Sequence, residues 1–125
     1  MEDIARNEDL APDTTSPVAV AGRVFGFWND LFCLDAASLK TRWRWNDERL
    51  DGYVSLLAGN GRVVVCSTRG ELLLFDAGDE KGKPLSRLQA FDYKADVWSH
   101  PALVGDRLYL RSQKEIVCLS LDESR

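Results

Sequence analysis

The sequence lacks several features that mark particular classes of protein. Its three cysteines, Cys33, Cys66 and Cys118, include no CxxC pair, and their odd number argues against a disulfide framework or a zinc site. No apolar run approaches the roughly 20 residues of a membrane-spanning helix. The net charge of -4, with both signs interspersed, provides no basic face for binding nucleic acid. What remains is an ordinary globular composition, 45% hydrophobic and 29% charged.

The N-terminal sequence, MEDIARNEDLAPDTT, is acidic and polar. It lacks the basic start and the apolar centre of a secretory signal peptide. The chain as it stands is therefore expected in the cytoplasm. If the true N-terminus lies further upstream, a periplasmic or exported location is expected instead.

The stretch 55–76, SLLAGNGRVVVCSTRGELLLFD, consists of three apolar runs separated by two turns. The turns are Gly59-Asn60-Gly61 and Thr68-Arg69-Gly70. Short runs rich in β-branched and aliphatic residues between such turns are typical of strands. This stretch therefore predicts an antiparallel up-down-up meander.

The same pattern occurs three times, and the copies align on Arg23, Arg62 and Arg107. Pro17 and Pro101 each lie six residues before the arginine of their copy. Because the arginines are 39 and 45 residues apart, the period is near 40, which is typical of β-propeller blades. The third strand of the first two copies closes with Asp35 and Asp76.

A propeller blade has four strands, and each copy of the meander supplies three. The fourth strand is predicted at 41–45 in the first copy and at 85–91 in the second, and it is absent from the third. The predicted fold is therefore all-β, with about three antiparallel blades, the last incomplete. The predicted units are a polar tail at 1–14 and blades at 15–52, 53–97 and 98–125.

The first copy reads Leu34-Asp35-Ala36, then Lys40 and Trp43. This pattern resembles the repeat of pyrroloquinoline-quinone (PQQ)-like propellers, a family that includes quinoprotein alcohol dehydrogenases and BamB-type outer-membrane assembly lipoproteins. The resemblance covers about residues 15–121. It departs from the family at Ser38-Leu39, where Thr-Gly is usual, and the second copy has no docking tryptophan.

The resemblance implies a repeat that serves structure, with Trp43 packing one blade on the next. The residues expected in structural repeat positions are Pro17, Arg23, Asp35, Trp43, Arg62, Asp76, Pro101 and Arg107. Catalytic members of the family hold PQQ with calcium through carboxylate and amide side chains and a stacking tryptophan, many beside a Cys-Cys pair. This sequence has no Cys-Cys pair, and it predicts no catalytic, cofactor-binding or metal residue.

The residues that could carry acid–base chemistry favour structural interpretations. His100 is the single histidine, and nothing in the sequence fixes the geometry of nearby Asp96. Asp35 and Asp76 recur at one repeat position, so they are interpreted as turn caps. Trp28 and the remaining tryptophan at 98 are interpreted as packing residues near strand ends.

Three functions are consistent with this pattern. The favoured interpretation is a non-catalytic scaffold or protein-interaction segment, the C-terminal part of a longer propeller, whose partners are other proteins or the missing blades. The alternative is a fragment of a quinoprotein alcohol dehydrogenase-like enzyme that uses PQQ and calcium. The third is a defective fragment without an independent role.

Packing expectations follow from the strand pattern. All three cysteines lie in apolar strands and are expected to be buried. The third strand of the last copy is expected to be an open edge, because residues 1–14 are poor material for a closing strand. The first copy is also expected to lack a neighbour on one face, so the chain is expected to self-associate.

Overall fold

The computed structural model describes residues 2–10, 15–48, 50, 53–92, 96–97 and 99–121. The described part is all-β, and none of it forms a helix that could span a membrane. Eleven strands form three antiparallel sheets of four, four and three strands. The strands are β1 Val18–Val20, β2 Arg23–Trp28, β3 Asp30–Asp35, β4 Thr41–Trp45, β5 Val54–Gly59, β6 Arg62–Ser67, β7 Glu71–Asp76, β8 Pro84–Gln89, β9 Ala102–Val104, β10 Arg107–Arg111 and β11 Ile116–Ser120.

Each sheet is a meander of consecutive strands, and we call the sheets blade 1 (β1–β4), blade 2 (β5–β8) and blade 3 (β9–β11). The repeat arginines have the same register in every blade. Arg23 lies opposite Asp35, Arg62 opposite Asp76, and Arg107 opposite Ser120. The three-fold repeat in the sequence is therefore a three-fold repeat of structure.

The first hairpin of each complete blade closes through two residues with positive φ. The pair is Ala21 and Gly22 in blade 1, with φ of 54° and 73°, and Asn60 and Gly61 in blade 2, with φ of 50° and 72°. Two consecutive positive φ values match the right-handed twist of the flanking strands. The turns therefore fix the register of the strands that carry the repeat arginines.

The core lies between blades. Alternate residues of a strand face opposite sides of its sheet. In β6, Val63 and Val65 pack towards blade 1, while Val64 and Cys66 pack towards blade 3. Strands β5 to β7 of blade 2 are therefore buried on both faces, which agrees with their continuous apolar runs, whereas β8 is mostly exposed.

Two sequence-based expectations on strand bounds and burial differ from the structure. The fourth strand of blade 2 is Pro84–Gln89 rather than 85–91, and Phe91 lies beyond it in the second core cluster. The expectation that Cys118 is buried is wrong, because it lies on the face of blade 3 that no described blade covers. Cys33 and Cys66 are buried.

The N-terminal segment does more than extend into solvent. Residues 2–10 form no strand, but Leu10 is buried against Phe32 and Leu34 on the outer face of blade 1. The Asn7 side chain donates a hydrogen bond to the Leu39 carbonyl, 2.9 Å away. At Leu10 the segment therefore packs on blade 1, while most of residues 2–9 are exposed.

Candidate protein-interaction site

The junction between blades 1 and 2 shows how two blades of this chain fasten together. Arg23 of β2 is 8% exposed and reaches across to the loop that follows β7. Its guanidinium donates to the carbonyls of Ala77 and Asp79, at 3.1 and 2.8 Å, and pairs with the Glu80 carboxylate. A buried guanidinium needs this set of acceptors to replace the water that it loses.

Trp43 of β4 fills the same junction. Its indole stacks on Phe75 of blade 2 with ring centroids 6.0 Å apart, and it meets Phe25 of its own blade edge-on at 5.9 Å. The indole N–H donates to the Asp79 carbonyl at 3.1 Å. Trp45, two residues along β4, packs edge-on against Phe75 at 5.3 Å. The structure therefore places Trp43 in the docking position between blades that the sequence suggested.

A second arginine strengthens this junction at the surface. Arg42 donates to both carboxylate oxygens of Glu80, at 3.0 and 3.1 Å, and lies 3.5 Å from the Asp35 carboxylate. The Glu80 charge is the main cause that raises the pKa of Arg42. Hydrogen bonds from the Ser38 backbone and hydroxyl lower the pKa of Asp35. Arg42 and Asp35 therefore stay charged together near neutral pH.

The junction between blades 2 and 3 is only partly built in the same way. Arg62 donates to the Leu121 carbonyl at 2.9 Å, as Arg23 does to the Ala77 carbonyl. The aromatic part is missing, because Ser86 pairs with Leu74 where Trp43 pairs with Cys33 in blade 1. The side chain of Ser86 is therefore much smaller than that of Trp43, which it replaces in this junction.

The missing side chains leave an apolar groove of about 90 Å³ between blades 2 and 3. Leu88 occupies the register position of Trp45 and is 49% exposed at the mouth of the groove. The residues lining the groove are Val64, Leu72, Leu73, Leu74, Ser86, Leu88, Leu119, Ser120 and Leu121. Most of these side chains are aliphatic, so the groove suits an apolar ligand group.

The outer edge of β11 borders this groove. Among the described residues β11 pairs with β10 alone, whereas β3 and β7 each pair with a fourth strand on their outer edge. An edge strand presents a row of backbone donors and acceptors that another strand can pair with. The free edge of β11 and the apolar groove therefore lie side by side.

The other residues singled out in the sequence lie apart from this groove. Asp35 and Asp76 accept hydrogen bonds from backbone N–H groups in the turns that follow them. Pro101 is buried, and Pro17 and His100 are exposed. Trp28 is 39% exposed at the end of β2, and the tryptophan at 98 lies outside the described residues.

Two of the cysteines are expected to have low reactivity. Burial raises the pKa of the Cys33 thiol to about 11 and that of the Cys66 thiol to about 12. A thiol reacts through its thiolate, so these two residues are poor nucleophiles near neutral pH. Both side chains are part of the hydrophobic core.

The arrangement needed for PQQ and calcium does not assemble among the described residues. No three His, Cys, Asp or Glu side chains in the described ranges come close enough to hold a metal ion. Trp43 is packed between Phe25 and Phe75 and is not available to stack on a planar ligand. We therefore derive no chemical step through this cofactor.

The lining of the groove was not recognised from sequence, although one signal was available. The second copy of the repeat lacks the docking tryptophan, and Ser86 and Leu88 stand in place of Trp43 and Trp45. A small residue at a position that fills a junction implies a void unless another group enters it. Comparing copies position by position would have located the groove.

Comparisons with known proteins support the fold. No protein-family model matches the sequence, and no curated protein matches it. Among solved structures, BamB from Moraxella catarrhalis matches 84% of the chain with a TM-score of 0.64 and 19% identity. The quinohemoprotein alcohol dehydrogenase ADHIIG from Pseudomonas putida HK5 matches 86% with a TM-score of 0.65 and 17% identity. The computationally designed Ika4 protein matches 97% with a TM-score of 0.73 and 13% identity.

These matches cover unequal parts of the other proteins. The chain spans 32% of the BamB structure, 19% of the dehydrogenase and 74% of Ika4. The described chain therefore has the fold of three blades of a PQQ-like, BamB-like β-propeller. At these identities the likeness concerns the fold alone.

Proposed function

We propose that this chain is a non-catalytic β-propeller segment that binds protein, and that the groove beside β11 is its binding site. The observation that carries the proposal is the difference between the two junctions. The first junction is filled by Trp43 and Trp45 of β4, whereas at the second junction Ser86 and Leu88 of β8 stand at the same register positions and leave a groove. Beyond this groove β11 has no further strand on its outer edge among the described residues.

The ligand that fits this slot is an extended peptide strand. Its backbone pairs antiparallel with β11, in the register that turns its large alternate side chains towards blade 2, one residue out of step with the pairing of β4 on β3. Strand addition of this kind takes its affinity from main-chain hydrogen bonds and its specificity from pockets for alternate side chains. The groove supplies such a pocket, and its aliphatic lining favours an aromatic or large aliphatic side chain.

The contacts of the polar residues also support a scaffold role. Arg23, Arg42 and Glu80 are engaged in joining blades, and Asp35 caps a turn. None of these groups is left with a proton-transfer geometry. We propose in addition that the three blades are part of a longer propeller, since the chain spans about a third of the BamB structure that it resembles.

A peptide-binding experiment tests the proposal directly. The probe is a labelled peptide with the sequence of residues 40–47, KTRWRWND, which contains the fourth strand of blade 1. Its control is the same peptide with both tryptophans changed to serine. Fluorescence anisotropy should show saturable binding of the first peptide to the full chain and much weaker binding of the second.

Two leucines of β8 provide a matched pair of protein variants. Leu88 lines the groove and is 49% exposed, whereas Leu85 lies outside the groove lining and is 48% exposed. Leu88→Glu should abolish binding of the tryptophan peptide, and Leu85→Glu should leave it unchanged. Equal losses for both variants, or equal binding of both peptides, would refute the groove as the site.

A further inference from the structure

The outer face of blade 3, opposite its contact with blade 2, retains the features of a face built to be covered. It carries Arg107, Tyr109 and Cys118, which correspond to Arg23, Phe25 and Cys33 of blade 1. Tyr109 of β10 lies opposite Cys118 of β11, as Phe25 of β2 lies opposite Cys33 of β3. In blade 1 the corresponding three residues are buried against blade 2.

Two further apolar side chains lie on the same face of blade 3. Val104 of β9 lies opposite Arg107 and is 64% exposed, and Ile116 of β11 lies opposite Arg111 and is 71% exposed. With Tyr109 and Cys118 they form a mixed apolar and basic surface. Contiguous exposed apolar side chains rimmed by polar groups mark interaction sites.

Arg107 indicates what this face contacts. In blades 1 and 2 the repeat arginine donates to the carbonyl that directly follows the third strand of the next blade, at Ala77 or Leu121. Arg107 is exposed and has no partner among the described residues. The group that satisfies it in the same way is a blade end with an exposed carbonyl and a carboxylate beside it, as Glu80 lies beside Ala77.

Blade 1 of the chain itself presents such an end. Ala36 occupies the repeat position of Ala77, since the N–H of each donates to the carbonyl of the glycine in the first hairpin, Gly22 or Gly61. Glu2 and Asp3 line a hollow together with Ala36. Acidic side chains therefore stand beside the carbonyl. Asp3 pairs with Arg6 of its own copy, and Glu2 adds a negative charge that is complementary to the arginines on blade 3.

The end of blade 1 has no room for a docking tryptophan, and the described part of blade 3 carries none. Leu39 of blade 1, with φ of 59°, corresponds to Gly82 of blade 2, with φ of 63°, since each precedes a lysine that leads into the fourth strand. A Cβ atom at Gly82 would lie 2.6 Å from the Trp43 ring, so a leucine there leaves no seat for a tryptophan. The described blade 3 has no fourth strand to bring one.

We propose that the outer face of blade 3 binds the blade 1 end of a second copy of this chain. Arg107 of one copy donates to the Ala36 carbonyl of the other and pairs with the acidic side chain of Glu2. The contact is head-to-tail, and repetition of such a contact closes a ring when the rotation per subunit allows it. Two copies would give six blades, within the usual range for a closed propeller, so that the second copy supplies the further blades that the whole propeller needs.

Sedimentation of the full chain over a wide range of concentration tests this proposal. The expected result is a weight-average mass that rises from 14.1 kDa towards twice that value. Arg107→Glu should weaken the association at least about tenfold, because it places like charges together. Added salt should weaken the wild-type association, since exposed charges are screened.

Two further variants make the result specific. Lys114→Glu makes the same charge change in the β10–β11 turn of blade 3, outside the proposed contact, and should leave association unchanged. Combining Arg107→Glu with Glu2→Lys, which leaves the Asp3–Arg6 ion pair intact, should restore it in part. At concentrations low enough for both proteins to be monomeric, the melting curve of Arg107→Glu should match wild type, because Arg107 has no partner in the described chain.

A monomer at every concentration would overturn the proposal, and so would equal effects of the Arg107 and Lys114 variants. Failure of the charge-reversed combination to restore association would show that the contact lies elsewhere. Peptide binding at the groove is independent of these outcomes, because Leu88 lies in the groove between blades 2 and 3 and Arg107 on the opposite face of blade 3.

Discussion

The ring of Trp43 lies so close to Gly82 that a Cβ atom built on the glycine would be 2.6 Å from the nearest ring atom. Trp43 belongs to blade 1, and Gly82 belongs to the loop that joins β7 and β8 of blade 2. The same loop offers the Asp79 carbonyl to the indole N–H. The loop is therefore shaped around a side chain of the preceding blade, and its glycine is required by that contact.

Gly82→Ala should destabilise the chain more than Gly61→Ala does. Both glycines have positive φ, which costs an alanine about 1–2 kcal/mol. The Cβ at Gly61 meets nothing within 4 Å, whereas at Gly82 it overlaps Trp43, which adds about 1–3 kcal/mol. Urea unfolding of the two variants measures the difference. Equal losses would mean that the indole does not press on Gly82.

Trp43→Ala should lower the free energy of unfolding by about 3–5 kcal/mol, as for other large buried residues cut to alanine. The reason is the loss of its packing against Phe25 and Phe75. Trp28→Ala is the matched control, because Trp28 is 39% exposed and should lose about 1 kcal/mol or less. A loss below about 0.5 kcal/mol at Trp43 would contradict its docking role.

Much of the fold could be predicted from the sequence because the repeat depends on local features of the chain. The hairpin glycines and the apolar runs set the strands, and Arg23, Arg62 and Arg107 set the register between copies. The groove was not visible, since a void depends on what faces it from another blade. The burial of Cys118 was mispredicted for the same reason: its strand is apolar, but the burial of Cys33 depends on a second blade that Cys118 lacks.

Cys118 should react quickly with a thiol reagent in the native state, and Cys33 and Cys66 should react slowly. Cys118 is exposed, whereas burial raises the pKa of the other two thiols to about 11 and about 12. Mass spectrometry after brief labelling counts and locates the modified residues. Cys118→Ser should leave almost no rapid labelling. Fast labelling of Cys66 would show that the junction between blades 2 and 3 opens readily.

The same thiols predict that stability falls with rising pH in the alkaline range. In the unfolded chain a cysteine loses its proton near its ordinary pKa, about 8.5, while in the folded chain Cys33 keeps it up to about pH 11. The folded state therefore binds more protons in between, and the stabilisation present below pH 8.5 is lost progressively towards about pH 11. Urea unfolding at several pH values should show a smaller slope for Cys33→Ala.

Addition of PQQ and calcium should produce neither a protein-bound quinone absorption band nor dye-linked alcohol oxidation. The reason is that Trp43 is engaged between two blades and no described cluster of acidic, His or Cys side chains is arranged to hold calcium. Absorption spectra and a dye-reduction assay on the full chain measure both. Saturable binding together with alcohol-dependent dye reduction would support the quinoprotein alternative.

The uneven burial of the three blades has a consequence for how the molecule opens. Strands β5 to β7 of blade 2 are packed on both faces, while the described part of blade 3 has three strands and packs on blade 2 through one face. In arrays whose units contact only their neighbours, the terminal unit is held by a single interface and opens at lower free energy than the rest. Amide hydrogens of β9–β11 should therefore exchange sooner than those of β6 and β7. Any ligand that binds ordered blade 3 then slows this exchange, which gives a way to detect binding without knowing what the ligand is.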